Sequence, residues 1–376
     1  MPKLLRITTS DISLNSLIKG QLKYMSQYYE VVGVASDTGF LQQVGEREGV
    51  RTIDIPMHRE ISLAADVKSL FALIKLFRSE RPDIVHTNTP KASLLGMVAA
   101  WLCRVPSRVY TVTGLRFETT GGVMRFILKT MERITCFCAN KVIPEGDGVR
   151  DTLIRERITR KPLKKILNGN INGVDLEWYD HTDEVDKKAA ELREKLNNFT
   201  FVFVGRIVRD KGVCELVDAF VRLSSKRKDV KLMLVGSFEE QLDPLPHNTT
   251  DIINNNDNIE YVGYQSDIRP YLAASEVLVL PSYREGFPNV ILQAGAMGLP
   301  VIVTDVNGSY EAIEHGVNGM IIPKYDTDSL YNAMSSVVAD REKTQQMASV
   351  ARRMVADRFD QNAVWEATLE MYKSLN

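Results

Sequence analysis

Two short stretches of the chain carry residues whose types and spacing suit the same ligand. In "PSYREGFPNVILQAGAMGLP" (281–300), Arg284 and Glu285 stand beside Gly286, Phe287, Pro288 and Asn289, and an apolar helix-period run follows at once. An ionised Glu285 only accepts hydrogen bonds, which fits sugar hydroxyls better than phosphate. Gly286 permits close backbone approach, and Pro288 fits the first helical turn, which would leave the N–H groups of Asn289 and Val290 facing the loop. In "FVFVGRIVRDKGVCELVDAF" (201–220), Arg206 follows Gly205 at a strand end, and Lys211 precedes Gly212 at the start of a helix. Two full charges beside free helical N–H groups match a diphosphate. Taken alone, they would read equally well as solvated cations in a loop.

The elements around these stretches repeat one pattern. Apolar or β-branched runs ("LLRITT", "VVGVAS", "RTIDI", "DIVHT", "SRVYTVT", "KVIP") alternate with helix-period segments, including expected helices over about 16–27 and 63–79. A second alternation begins at "FTFVFVGR" and runs through "VKLMLVG", "IEYVG", "VLVLPS", "PVIVTD" and "NGMIIP". Strand, helix, strand in repetition predicts two α/β, doubly wound, Rossmann-like domains. The charged, strand-poor stretch near 176–190 reads as the linker. The terminal "FDQNAVWEATLEMYKSLN" carries Val364, Thr368, Leu369 and Tyr372 at helical spacing, so it must pack on something. In open parallel sheets ligands bind outside the carboxyl ends of the strands, where Gly205–Arg206 and Glu285–Gly286 fall.

The 376 residues suit two domains, and 44% hydrophobic with 25% charged content excludes disordered and fibrous classes. No apolar stretch at the start is long enough for a secretion signal, and 93–103 is too short to span a bilayer, so a cytoplasmic location is expected. The four cysteines have no zinc-site spacing and read as buried thiols. Residues 1–180 hold 26 basic and 19 acidic side chains, +7 by difference; residues 181–376 hold 21 and 29, or −8. A basic half suggests a directional contact, set against two solvated faces of chance bias.

Gly-Arg with a Lys five residues later, followed by Glu-Gly-Phe-Pro-Asn before an apolar helix, resembles the retaining glycosyltransferases of family 4. "PDIVHTNTPKASLLGMVAAWL" and "NGNINGVD" extend the likeness across the first half, and bacterial enzymes of capsule, lipopolysaccharide and lipid-linked glycan synthesis are the most similar members. The resemblance implies a GT-B fold with its two domains facing a central cleft. These are an acceptor domain at 1–177, with the helix 360–376 packing back on it, and a nucleotide-sugar donor domain at 178–359. It implies that Arg206 and Lys211 hold the diphosphate of a UDP-sugar and that Glu285 holds the sugar hydroxyls. The rest of the donor site falls to Gly205, to Tyr264 and Gln265 at the base, and to Gly286, Phe287, Pro288, Asn289 and Val290. Gln293 stands where the family places a second Glu on the ribose, and its amide can still bond hydroxyls. Ser13 and Leu14 replace a common Gly-Gly pair, and Thr111 and Thr113 stand where many relatives carry a His. Ser13, Leu14, His86, Thr113 and Gly114 are the expected acceptor or cleft residues.

No metal or other cofactor is implied, nor nucleic acid. "DTD" at 326–328 mimics a metal motif but precedes a helix, which favours capping. Ser266 or Asp267 is likewise a candidate cap. In "GVMRFILKTMERI", Arg125, Lys129 and Arg133 share one helical face that could rest on anionic headgroups of the inner leaflet or form a solvated face. "TGLRFETTGG" beside it reads as an acceptor loop. A GT-B nucleotide-sugar epimerase and a two-domain sugar-binding protein remain the alternatives; no G-x-G-x-x-G follows the first strand to suggest a dehydrogenase.

Overall fold

The computed structural model describes residues 1–58, 62–239 and 243–375. Its contacts divide the chain into two units, Met1–Asn172 with Asn362–Asn376, and Gly173–Gln361. The boundaries expected at 177/178 and 359/360 therefore fall at 172/173 and 361/362. The cause is backbone pairing: Val174 N–H donates to the Phe359 carbonyl (2.9 Å), and Gln361 N–H donates to that of Val174 (3.2 Å). The stretch expected as a linker is ordered by its own caps. The Asp175 carboxylate accepts from the N–H groups of Glu177 and Trp178, and the Thr182 hydroxyl caps the helix Asp183–Leu196.

In unit 1 the strands are β1 (Lys3–Ser10), β2 (Glu30–Ser36), β3 (Arg51–Asp54), β4 (Ile84–Thr87), β5 (Ser107–Val112) and β6 (Lys141–Pro144). In unit 2 they are β7 (Phe199–Val204), β8 (Val230–Val235), β9 (Ile259–Gly263), β10 (Val277–Leu280), β11 (Val301–Thr304) and β12 (Gly319–Ile322). The first sheet runs β3-β2-β1-β4-β5-β6 and the second β12-β11-β10-β7-β8-β9, all parallel. Read from either end, both have one doubly wound order. The winding direction reverses between β1 and β4 in unit 1 and between β7 and β10 in unit 2, and ligands enter such sheets at that reversal.

Burial on both faces explains the continuous apolar strands. "VLVL" of β10 and "VIVT" of β11 are wholly buried, and Leu278 faces Val202 on one side and Val301 on the other. The helix Val213–Lys226 buries Val213, Leu216, Val217, Phe220 and Leu223, a spacing of one helical stripe, in the same core as Phe201 and Phe203 of β7. The helix expected over 63–79 is Leu63–Glu80. The one expected over 16–27 is two short helices, Asp11–Leu17 and Gln21–Met25, because Gly20 takes a left-handed conformation between them. The last helix, Gln361–Lys373, buries Val364, Thr368, Leu369 and Tyr372, and Leu369 and Tyr372 lie in a core cluster of unit 1 with Leu4 and Leu22.

Candidate active site

The loops that leave β7 and β10 lie side by side at the reversal of the second sheet, and they are joined residue by residue. Tyr283 N–H donates to the Asp210 carbonyl (2.9 Å), Arg284 Nη2 meets Asp210 Oδ2 (3.1 Å), and Lys211 Nζ meets Glu285 Oε1 (2.5 Å). The Tyr283 hydroxyl donates to the Glu215 carboxylate (2.6 Å) on the helix that follows Lys211. Both members of the Lys211–Glu285 pair are mostly buried. Partial burial strengthens such a pair, because less water screens it.

Two glycines allow this closeness. Gly212 has φ +69°, and a Cβ there would sit 2.0 Å from the Pro281 carbonyl oxygen. Gly308, after β11, has φ +72°, and its Cβ would lie 2.2 Å from the Gly286 carbonyl oxygen. Each position needs both the left-handed backbone and the absence of a side chain.

Of the residues expected to handle the donor, Lys211 and Glu285 come together. Arg206 does not join them. Its guanidinium pairs with Glu239 on the loop after β8, and half of its side chain is exposed. Gly205 stays at the end of β7, where its N–H donates to the Val235 carbonyl (2.9 Å). Pro288 takes the N-cap position of the helix Asn289–Ala296 rather than its first turn, with extended ψ of 114°. No side chain caps that helix. The Phe287 ring packs against Phe359 (5.3 Å between centroids), which makes its side chain part of the core. Val290 is half-buried against the same core, and Gln293 lies one turn beyond Asn289, on the same side of the helix. Tyr264 is exposed, while the Gln265 amide donates to the Val262 carbonyl (2.8 Å). Of the two candidate caps, Asp267 accepts from Arg269 N–H (3.0 Å), and Asp326 in "DTD" caps its helix through Ser329 N–H (2.9 Å).

The expected acceptor residues in unit 1 fare differently. Leu14 is fully buried in the core with Ile18 and Leu22, so it is a packing residue; Ser13 beside it is half-buried. Thr113 donates its hydroxyl to the Asn88 carbonyl (2.6 Å), and Gly114 follows with φ +126°. His86 is enclosed rather than set at a ligand-facing strand end. Its Nδ1 lies 2.5 Å from the Tyr372 hydroxyl and its Nε2 2.7 Å from that of Thr111. Burial, with the nearby charge of Arg6, holds its pKa well below the usual range, so the ring is neutral. Nδ1 helps to fasten the last helix, which Arg6 Nη1 also grips through Tyr372 (3.1 Å), while Nε2 is held by Thr111 of β5.

The basic face of the helix Gly122–Cys138 is turned inward. Arg125 (2.8 Å) and Lys129 (2.6 Å) both meet the Glu156 carboxylate, and Arg133 donates to the backbone carbonyls of Glu156 and Arg157. These three cations are therefore not a lipid-facing stripe. Spacing groups residues on a face but does not say which neighbour the face meets.

A family model described as "Glycosyl transferases group 1" matches residues 198–340, and one described as "Glycosyl transferase 4-like domain" matches 24–169. The capsular polysaccharide biosynthesis glycosyltransferase CapM of Staphylococcus aureus is 32% identical over 95% of this chain and 93% of its own. The chain belongs to glycosyltransferase family 4. This glycosyltransferase is also 31% identical, over 89% of each chain, to the Escherichia coli UDP-Gal:α-D-GlcNAc-diphosphoundecaprenol α-1,3-galactosyltransferase. Its fold matches that of Anabaena HepE, crystallised with UDP and glucose, at a TM-score of 0.81, 22% identity and full coverage of both chains. These are GT-B proteins, and the glycosyltransferase has that fold, with two Rossmann-like units.

Two residues that follow strands, Arg284 and Asp11, had no role assigned from the sequence. Arg284 was visible beside Glu285, yet its partner Asp210 is distant in sequence. Asp11, at the carboxyl end of β1, accepts from the N–H groups of Ile12 (2.7 Å), Thr38 (2.8 Å) and Phe40 (2.8 Å) and from the Thr38 hydroxyl. Burial alone would raise its carboxyl, but the Thr38 side chain and the three backbone donors outweigh it and hold the pKa at about 2. Its only signal was its place just after a strand. Among the described residues, no group of three or more His, Cys, Asp or Glu side chains could hold a metal ion.

Proposed function

We propose that this glycosyltransferase moves a sugar from a UDP-sugar to a hydroxyl of a lipid-linked glycan acceptor, with retention of anomeric configuration and without a bound metal. The observation that carries the reading is the joining of the β7 and β10 loops through Lys211 and Glu285 at the reversal of the second sheet. The names of relatives support the donor and acceptor classes. The E. coli relative uses UDP-Gal and a diphosphoundecaprenol-linked acceptor, and a Campylobacter jejuni relative, 25% identical over 81% of each chain, acts on another diphospho-undecaprenol sugar.

In this reading the bond between the anomeric carbon and the donor's phosphate oxygen breaks, and a bond from that carbon to the acceptor oxygen forms on the same face. The acceptor proton passes to the departing phosphate oxygen. Negative charge grows on the diphosphate, and Lys211 is the cation placed to meet it. Arg206 joins by exchanging Glu239 for phosphate oxygens. Glu285 then accepts from sugar hydroxyls, and Gln293 bonds the ribose. One preorganised contact of this kind is commonly worth about 2.7–4 kcal/mol of barrier.

The test is transfer from a panel of UDP-sugars to polyprenyl-diphosphate-linked sugars by wild type, Lys211→Ala and Glu285→Ala, with and without a chelator. The expected result is chelator-insensitive transfer that falls at least about a hundredfold in each variant while the thermal melt stays cooperative. Transfer at the wild-type rate by either variant defeats the site assignment, and loss of activity on chelation defeats the metal-free mechanism.

A further inference from the structure

The helices Leu63–Glu80, Pro90–Leu102 and Gly122–Cys138 pack side by side on unit 1 with Pro90–Leu102 in the middle. With Arg125 and Lys129 turned to Glu156, the face that Gly122–Cys138 presents to solvent is apolar. Val123 (76% exposed), Phe126 (67%), Ile134 and Phe137 (68%) fall along one stripe of that helix, with Thr130 between them. Leu63, Val67 and Phe71, four residues apart, are exposed along the outer face of the first helix. The middle helix ends in exposed Trp101 and Leu102, and the Trp101 ring lies 6.2 Å from that of Phe137. Exposed large apolar side chains that gather on neighbouring elements are a mark of an interaction surface.

The exposed charges carried by the three helices themselves are of one sign. Lys68, Lys75 and Arg78 on the first helix are exposed, as are Arg104 after the second and Arg116 before the third. None of the three helices carries an exposed carboxylate. Asp66 pairs with Lys91, Glu80 with Lys3 and Arg51, and Glu132 accepts from the Tyr110 hydroxyl. A second copy of the chain in a two-fold pair would set such a rim against its own like. An anionic bilayer offers it the opposite charge and takes up the aromatic and aliphatic side chains together.

We propose that this three-helix face inserts into the headgroup region of an anionic phospholipid bilayer, and that apolar burial rather than the Arg125–Lys129–Arg133 stripe holds it there. The proposal names the membrane partner of the lipid-linked acceptor reading and rests on that reading for its purpose. Val123 and Phe126 open the helix that follows the Gly114–Gly121 loop, at the carboxyl edge of the first sheet. Insertion would therefore bring an acceptor's lipid tail to the edge of unit 1 where its sugar must react. No helix among the described residues is long and apolar enough to cross a membrane, so contact would be from one side.

The test is co-sedimentation of the full chain with phosphatidylglycerol-containing and pure phosphatidylcholine vesicles, at low and high salt, without donor or acceptor. A failure here is thus separate from a failure of transfer. The variants are Phe126→Ser with Phe137→Ser, and Lys129→Gln. Wild type should bind the anionic vesicles and stay bound in part at high salt, and Lys129→Gln should bind alike. The double serine variant should lose at least about tenfold in partition coefficient with an unchanged thermal melt. Absence of wild-type binding, binding abolished by salt, or undiminished binding by the serine variant each overturns the proposal. So does a wild-type dimer in light scattering that the serine variant disperses, which would give the face to a second copy.

Discussion

Glu285 and Lys211 face each other across 2.5 Å, so truncating either removes one charge and strands its mostly buried partner. Truncation should therefore cost stability as well as activity, because a mostly buried charge is left without its partner. Asp11 makes the opposite case, a carboxylate whose role is structural. Its folded pKa of about 2 lies below the ordinary value of 3.8, so its stabilisation is complete above the unfolded value and drains away as pH falls from about 4 through 2. Asp11→Asn should flatten the acid limb of a stability-against-pH curve in that window and lower stability at pH 7 by roughly 2 kcal/mol. Melting curves across pH for both proteins measure this directly; parallel curves would show that Asp11 is not the titrating pin.

Among the elements, the joined β7 and β10 loops depend on Gly212. Gly212→Ala combines a left-handed backbone with a Cβ 2.0 Å from a carbonyl oxygen, so the loops must part. The expected outcome is a loss of about 1–3 kcal/mol from backbone strain alone, and abolished UDP binding by calorimetry in a protein that still melts as a folded chain. UDP binding at the wild-type level would mean that the two loops need not touch. Most of these elements were legible in the sequence, because strands buried on both faces must read as apolar runs and helices must repeat with their own period. Gly-Arg and Glu-Gly were legible as residues that follow strands for the same reason, and Lys-Gly as the start of a helix. What was not legible was who meets whom: Arg206 with Glu239, Arg284 with Asp210, and Arg125 and Lys129 with Glu156. Those pairings are fixed by the packing of distant segments, and a one-dimensional pattern carries no record of them. The burial of Leu14 and His86 was not legible for this reason too, since a place near a strand end does not distinguish a side chain facing a ligand from one facing the core.

At the scale of the molecule, the last helix fastens unit 1 through Tyr372, which accepts from buried Arg6 and lies 2.5 Å from His86. Tyr372→Phe would leave Arg6 Nη1 and a ring nitrogen of His86 without their partner inside the protein. Each such group costs about 1–3 kcal/mol, so a downward shift in the melting of unit 1 is expected, with UDP binding to unit 2 kept. Equal melting temperatures would remove the helix from the stability of the first unit. Unit 1 is assembled from two stretches of chain that the whole of unit 2 separates. During synthesis residues 362–375 leave the ribosome only after unit 2 is complete. The domain that begins first must therefore finish last, and until then it waits with Arg6 and His86 unclasped, the interval in which a chaperone would have most to do.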